Sequence, residues 1–297
     1  MNSEPKGEIR KVTDADLDYP KVLREISVRP AVLYVRGRWP LPEDGLTLGV
    51  VGSRHATPYG REAAQSITAG LVRAGAVIVS GLAAGIDACS HRATLEQRGW
   101  TVAILGHGFG HLFPQENASL FDEIAEHGTL VTEFPYDAPP LAAHFPQRNR
   151  IISGLSQGVV VVEAGEHSGA LITARCAAEQ GRDVFAVPGS VFSPLSLGCH
   201  RLIKEGARLV EKAGDILMDY GVGGNSETPP RRYKGKVEDL TAFEKEILQA
   251  LSAAPLSVDE LVELSRTPVD RLAEVLLSLE LKERVRALPG QRYVAYD

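Results

Sequence analysis

Residues 144–173 read HFPQRNRIISGLSQGVVVVEAGEHSGALIT, and the middle of that stretch decides the fold. Val159 to Val162 is an unbroken β-branched run between Gly158 and Glu163. A run this short, apolar at every position, fits a strand buried on both faces of a sheet. On its amino side, Ile151, Ile152 and Leu155 recur at helical spacing and predict a helix over 148–155. On its carboxyl side, Ala164-Gly165-Glu166-His167-Ser168-Gly169 is a small-residue loop that opens a second helix, with Ser168 as N-cap and Thr173 beyond it. A strand, a small loop and a helix start make a ready anion site, because free N–H groups and the helix dipole face the loop. Arg148 and Arg150 are suited to pair with an anion there. An ordinary strand-to-helix turn is the alternative.

Outward from this stretch the same pattern repeats. Strands are expected at 46–51, 76–80, 102–105, 129–132, 159–162, 184–187 and 208–210. Helical patterns lie between most of them, over 59–73, 86–97, 116–126, 148–155, 170–179 and 197–204. Strands alternating with helices over short connections mean an α/β fold, a mostly parallel, doubly wound sheet covered on both faces. Ligands of such sheets sit outside the carboxyl ends of the strands. Those ends carry unusual residues: Gly52-Ser53-Arg54-His55, Gly81 to Asp87, Gly106 to His111, Glu163 to Gly169 and Pro188-Gly189-Ser190. Glycine permits close backbone approach to a ligand, and a merely structural turn has no need of Arg54. Phosphate is the ligand class these loops indicate. The first loop is not GxGxxG, Ser80-Gly81 stands where an acidic ribose ligand would, and no GxxxxGK[ST] occurs, which excludes the ordinary nicotinamide and P-loop patterns.

Composition bounds the rest. The chain has 297 residues, 44% hydrophobic and 24% charged, with a formal net charge of −6. That is room for one sizeable domain and a small one, and any nucleic-acid affinity must come from a local patch. Cys89, Cys176 and Cys199 are far apart and lack CxxC spacing, so neither a zinc site nor a disulfide framework is expected, and a reducing, cytoplasmic setting is. No metal and no cofactor are expected. The polar start MNSEPKGEIRK is no secretory leader, and no run of about 18 apolar residues predicts a membrane span. Residues 1–44 read as a lead-in with one strand at 32–35 and a helical turn after Pro20; 45–220 as the Rossmann-like domain; 221–238 as a Gly, Pro and charge-rich linker; 239–297 as a small C-terminal domain.

Several motifs then fall together. Val51-Gly52-Ser53-Arg54, Ser80 to Asp87 with His91, Phe145-Pro146 before Arg148-Asn149-Arg150, Ser168-Gly169 with Thr173, and Pro188-Gly189 stand in the order and spacing of the DNA-processing protein A family (DprA/Smf), which the chain resembles over residues 19–218. The resemblance implies an extended Rossmann-like domain that binds single-stranded DNA, protects incoming DNA and loads RecA recombinase during natural transformation, with no catalysis and as a homodimer. It implies a DNA groove lined by Gly52, Ser53, Arg54, Gly81, Phe145, Arg148, Asn149 and Arg150, with Ser168 and Gly169 at the helix start. Two departures stand out: the N-terminus is too short for the helical domain of many relatives, and Phe113-Pro114 replaces a common Tyr-Pro.

The chemistry agrees, because single strands are held by cationic grooves with aromatic platforms. Phe145 is a stacking platform or a core aromatic, Arg150 a phosphate ligand or a structural arginine, and Asn149 a DNA contact or a loop brace. Asp87 reads as a brace or cap, with His91 as its hydrogen-bond partner one turn on. The competing reading is a nucleotide enzyme of the phosphoribohydrolase type, for which Glu163 is the candidate carboxylate. The C-terminal helical patterns 241–251, 257–264 and 268–279 begin with Thr241/Glu244 and Ser257/Glu260 capping boxes. Two strand patterns around Pro289-Gly290 follow, as in a winged helix. From Asp239 onward 7 Lys/Arg stand against 11 Asp/Glu, a net of −4. Duplex DNA and protein are therefore equal candidates as partners of that domain, with Arg266, Arg271, Arg284, Arg286 and Arg292 the available cations.

Overall fold

The computed structural model describes residues 8–42, 45–222, 241–251, 256–281, 284–288 and 292–295. Its contacts divide the chain into two compact units, 1–227 and 228–297.

The first unit holds a nine-stranded sheet, β1 (Arg10–Thr13), β2 (Val32–Gly37), β3 (Thr47–Val51), β4 (Val77–Ser80), β5 (Thr101–Ile104), β6 (Thr129–Thr132), β7 (Gly158–Val161), β8 (Asp183–Ala186) and β9 (Arg208–Leu209). The strand order is β1-β2-β6-β5-β4-β3-β7-β8-β9. β6 through β9 pair in parallel, while β2 pairs antiparallel with both β1 and β6. The doubly wound sheet is as expected. Two strands of the lead-in extend it beyond β6: β1 has no apolar run to announce it, since only Val12 of Arg-Lys-Val-Thr is buried.

The helices are α1 (Lys21–Arg24), α2 (Pro58–Arg73), α3 (Ile86–Glu96), α4 (Ala118–His127), α5 (His144–Gly154), α6 (Gly169–Glu179), α7 (Leu197–Lys204) and α8 (Ala213–Asp219). One face of the sheet packs on α1, α5, α6 and α7, through Leu23, Ile151, Ile152, Ala174 and Cys199 against Val79, Val102, Val159 and Val161. The other packs on α2, α3, α4 and α8, through Ile67, Leu71, Ile86 and Ile216 against Leu48, Val50, Ile78 and Val160, and Leu120 and Ile124 against Ala103 and Leu130. Burial on both faces is why the strands read as continuous apolar runs. α5 starts four residues before its expected beginning. Pro146 lies in the first helical turn, where a missing N–H is tolerated, so the whole segment from Phe145 to Arg150 is helical. α8 escaped the reading because it is short and follows the sheet's edge strand.

The order of the strands creates the site. From β3 the chain steps outward through β4 and β5 to β6, then returns through α5 to β7 on the other flank of β3. The switch in direction lies between β3 and β7, where open α/β sheets bind ligands at the carboxyl ends.

The second unit contains α9 (Ala242–Leu251), β10 (Leu256–Ser257), α10 (Val258–Ser265), α11 (Val269–Leu281), β11 (Val285–Leu288) and β12 (Arg292–Ala295), with strand order β10-β12-β11. Ile247, Leu251, Leu261, Leu272, Leu276, Leu279 and Val285 form its core. Both expected capping boxes are present, Thr241 with Glu244 and Ser257 with Glu260. Pro289-Gly290 and most of the linker lie outside the described residues. Among the described residues no helix is long and apolar enough to cross a membrane.

Candidate nucleic-acid interface

The loops that leave β3, β4 and β7 are tied together by their own backbones. Ser53 N–H donates to the Glu163 carbonyl at 2.7 Å, and Ile86 N–H donates to the Ser53 carbonyl at 3.1 Å. Gly52 backs onto the Ile86 side chain and the Glu163 carbonyl. Ser53 is buried, and its hydroxyl accepts the His55 N–H at 3.1 Å. This network uses up Gly52 and Ser53 as framework and pushes the next residue, Arg54, into solvent.

Arg148 occupies the floor. It is 3% exposed, and its guanidinium donates to the carbonyl of Ile104, the last residue of β5. Gly81 makes room for it: a Cβ there would collide with the guanidinium. Asp87 is buried too, and its carboxylate accepts Gly81 N–H at 3.1 Å and Ala83 N–H at 3.4 Å. Burial raises the Asp87 pKa against the pull of Arg148 and those two amides. Burial lowers that of Arg148 to about 10, against the pull of Asp87, and leaves it cationic at neutral pH. A buried charge is tolerated only when countered, and beneath the β4 loop Asp87 and Arg148 attract one another electrostatically. Asp87 is thus a brace, as expected. His91 is not its partner. The His91 ring bonds Thr101 Oγ1 through Nδ1 at 2.6 Å, and burial depresses its pKa to about 3. The two peptide N–H groups fill the carboxylate's needs instead.

Above this floor lie the exposed groups. The Phe145 ring is half-buried against Gly106, where an added Cβ would sit 2.9 Å away. The Arg54 guanidinium stands over the Phe145 ring, 5.5 Å from its centroid, within cation–π range. Phe113, 40% exposed, tilts against Phe145 at 5.5 Å. A cation and two aromatic rings are thus set side by side at the ends of β3 and β5. The sequence announced Arg54 and Phe145; Phe113 stood out only as a departure from a motif.

The other expected residues are placed differently. Arg150 forms a two-pronged ion pair with Glu133, at 2.8 and 2.6 Å, and also bonds the Gln147 carbonyl at 3.1 Å. Glu133, the acid directly after β6, was the signal to look for. Asn149 is buried, and its amide donates to the Gly169 carbonyl at 3.3 Å, bracing α5 to the start of α6. Ser168 caps α6 by accepting Ala170 N–H at 3.3 Å. It lines a separate groove of ≈ 870 Å³ between α6 and α7, whose rim carries Glu166 and Glu205 as well as Arg175 and Arg201. Neither Arg148 nor Arg150 reaches the α6 start to pair an anion there: the helix holding them turns one onto Ile104 and the other onto Glu133. Glu163 is 3% exposed, and its carboxylate accepts both Thr57 N–H at 2.9 Å and the Thr57 hydroxyl at 2.5 Å. It is spent on anchoring the start of α2, which removes the carboxylate proposed for a phosphoribohydrolase.

In the second unit the outward side of α11 carries Glu274, Leu277 and Glu280, all exposed. Arg271 lies over the Phe243 ring at 5.6 Å, and Arg266 ends α10 with a left-handed φ of 52°.

Fold and site together define a Rossmann-like domain whose glycine-lined carboxyl rim joins a buried arginine to an exposed cation–aromatic cluster. The chain belongs to the DNA recombination-mediator protein A family: that family's profile matches residues 10–221, and the DprA winged helix domain profile matches residues 233–291. Among curated relatives it is 46% identical over 211 residues to the DNA processing protein DprA of Bacillus subtilis strain 168, covering 71% of each chain. It is 41% identical over 276 residues to protein Smf of Escherichia coli K12, covering 92% of this chain and 74% of that one. Among solved structures, DNA processing protein A of Streptococcus pneumoniae matches with a TM-score of 0.67 and 41% identity over 71% of this chain and 74% of its own. The protein of the same name from Helicobacter pylori, determined for its single-stranded DNA binding mode, matches with a TM-score of 0.66 and 25% identity over 73% of this chain and 98% of its own.

Proposed function

We propose that this protein binds single-stranded DNA along the carboxyl rim of its Rossmann-like domain, without chemical catalysis, and acts in the cytoplasm on incoming DNA during natural transformation. The observation that carries this is the Arg54 guanidinium held exposed over the Phe145 ring at 5.5 Å, beside the exposed Phe113. Bases stack on such rings irrespective of sequence, worth about 1–3 kcal/mol per base, while a cation beside them takes the phosphate. Arg148 adds positive potential from below, and the neighbouring Gly81 lets a backbone approach closely. Arg150, Asn149 and Ser168 shape the site from behind and do not touch the strand. The Helicobacter pylori relative, determined for its single-stranded DNA binding mode, agrees with this reading. By extension of the family resemblance, the bound strand is protected and handed to RecA recombinase, and the working form is a homodimer.

The test is fluorescence anisotropy with labelled oligothymidylate, comparing the parent with an Arg54→Ala, Phe145→Ala double variant. Arg54 is exposed and Phe145 half-buried, so circular dichroism is recorded alongside. The expected result is tight binding by the parent and a loss on the order of a hundredfold in the variant. Equal binding by a folded variant would overturn the rim as the DNA site.

A further inference from the structure

Among the described residues the most exposed aromatic lies on the same rim, outside the Arg54, Phe145 and Phe113 cluster, and has no assigned role. The loop after β8 runs from Val187 to Ser193 and carries Val191 at 72% and Phe192 at 92% exposure. An aromatic of this size can bury 150–250 Å², and here almost all of it faces solvent. The loop is nonetheless held firmly. Tyr59 donates its hydroxyl to the Pro188 carbonyl at 2.6 Å, and the His200 ring meets the Gly189 carbonyl at 3.0 Å. Phe192 N–H donates to Ser190 Oγ at 3.2 Å, and Ser193 N–H to the Ser190 carbonyl at 3.0 Å. This is a built turn that displays a ring.

Its position continues the interface. Ala164 N–H donates to the Leu195 carbonyl at 2.8 Å and Gly198 N–H to the Ala164 carbonyl at 2.8 Å, which stitches the segment directly after this loop to the loop leaving β7. The β7 loop is stitched in turn to the Arg54 loop through Ser53 and Glu163. All these loops leave the same end of a parallel sheet. From β5, beneath Phe145, to β8 there are four strand steps, about 19 Å at the usual interstrand spacing.

We propose that the single-strand track extends along this rim to β8, where Phe192 is a second base-stacking platform at its far end. The inference rests on the single-strand reading above and adds a direction and an extent to it. A strand long enough to bridge both platforms engages Phe192; one that covers only the Arg54–Phe145 end does not.

The test uses the full chain and labelled oligothymidylates from roughly 4 to 16 nucleotides, the range of compact single-strand sites. Phe192→Ala is expected to bind the shortest strands like the parent and the longer ones on the order of tenfold more weakly, with Phe192→Tyr restoring the parent. Phe192→Trp is expected to lose indole emission as a long strand is added. Exposure at this position makes misfolding an unneeded explanation. Parent-like binding of Phe192→Ala at every length, with no emission change in Phe192→Trp, overturns the extension while leaving the Arg54–Phe145 site standing. A change of oligomeric state in Phe192→Ala with unchanged affinity also overturns it, by assigning the ring to contact between copies. If Arg54→Ala, Phe145→Ala binds like the parent, the underlying site falls and this inference with it.

Discussion

At the scale of single residues, burial decides what each charged group is for. Arg54 and Arg148 look equivalent in the sequence, yet one stands in solvent over a ring and the other is 3% exposed on a carbonyl. Arg150 was legible as an arginine but not as the partner of Glu133, because the two meet only once α5 docks beside the end of β6. His91 illustrates the same point and yields a prediction. Its folded pKa of about 3 lies below the unfolded value of 6.5. The unfolded chain therefore takes up a proton that the native chain refuses, so the stability is fully present above about pH 6.5 and falls as pH drops towards 3. Between pH 7 and pH 5 this one group is expected to remove about 2 kcal/mol. Urea unfolding at several pH values checks it: His91→Gln should flatten that part of the profile, and an unchanged profile would dismiss the cause.

At the scale of elements, the apolar runs announced the parallel strands within a residue or two, and the capping signatures announced α6, α9 and α10. Mixed-composition elements were missed: β1 is strand only because β2 supplies its partner, and α8 because the underside of α2 needs Ile216. The start of α2 shows how an element serves the site. Thr57 caps it by accepting Gly60 N–H at 3.0 Å and donates its hydroxyl to Glu163. Thr57→Ala is expected to cost about 1–2 kcal/mol, read as a shift in denaturation midpoint, with little effect on short-strand affinity because Arg54 lies outside the cap. α11 gives a second expectation. A helix that reads a duplex must turn cations to phosphates, and this one turns out Glu274 and Glu280 against a single exposed arginine among its described side chains, Arg271. The full chain should prefer a single strand to a duplex of equal length in competition. Glu274→Lys with Glu280→Lys should raise duplex affinity and leave single-strand affinity alone.

At the scale of the whole molecule, a formal net charge of −6 means that the proposed attraction to DNA must be local and must outlast a repulsive average. Binding is expected to weaken steeply with salt, with log K falling against log salt by about 0.7 per phosphate neutralised on a single strand. A flat dependence would rule out a phosphate-contacting groove.

What the sequence determined by itself is the class of the fold and the edge of the sheet where the candidate site lies. Periodicity and runs of valine are local properties, and so are the Gly, Ser and Arg residues that follow each strand. What only the tertiary structure decided is which of those residues are exposed on that edge and which are buried or paired. Strand order put Arg54 beside Phe145 across residues far apart in the chain. It also sank Arg148 onto Ile104, turned Glu163 inward to Thr57, and left Phe192 in the open. Exposure and pairing are set by contacts between distant segments, and no local pattern encodes them.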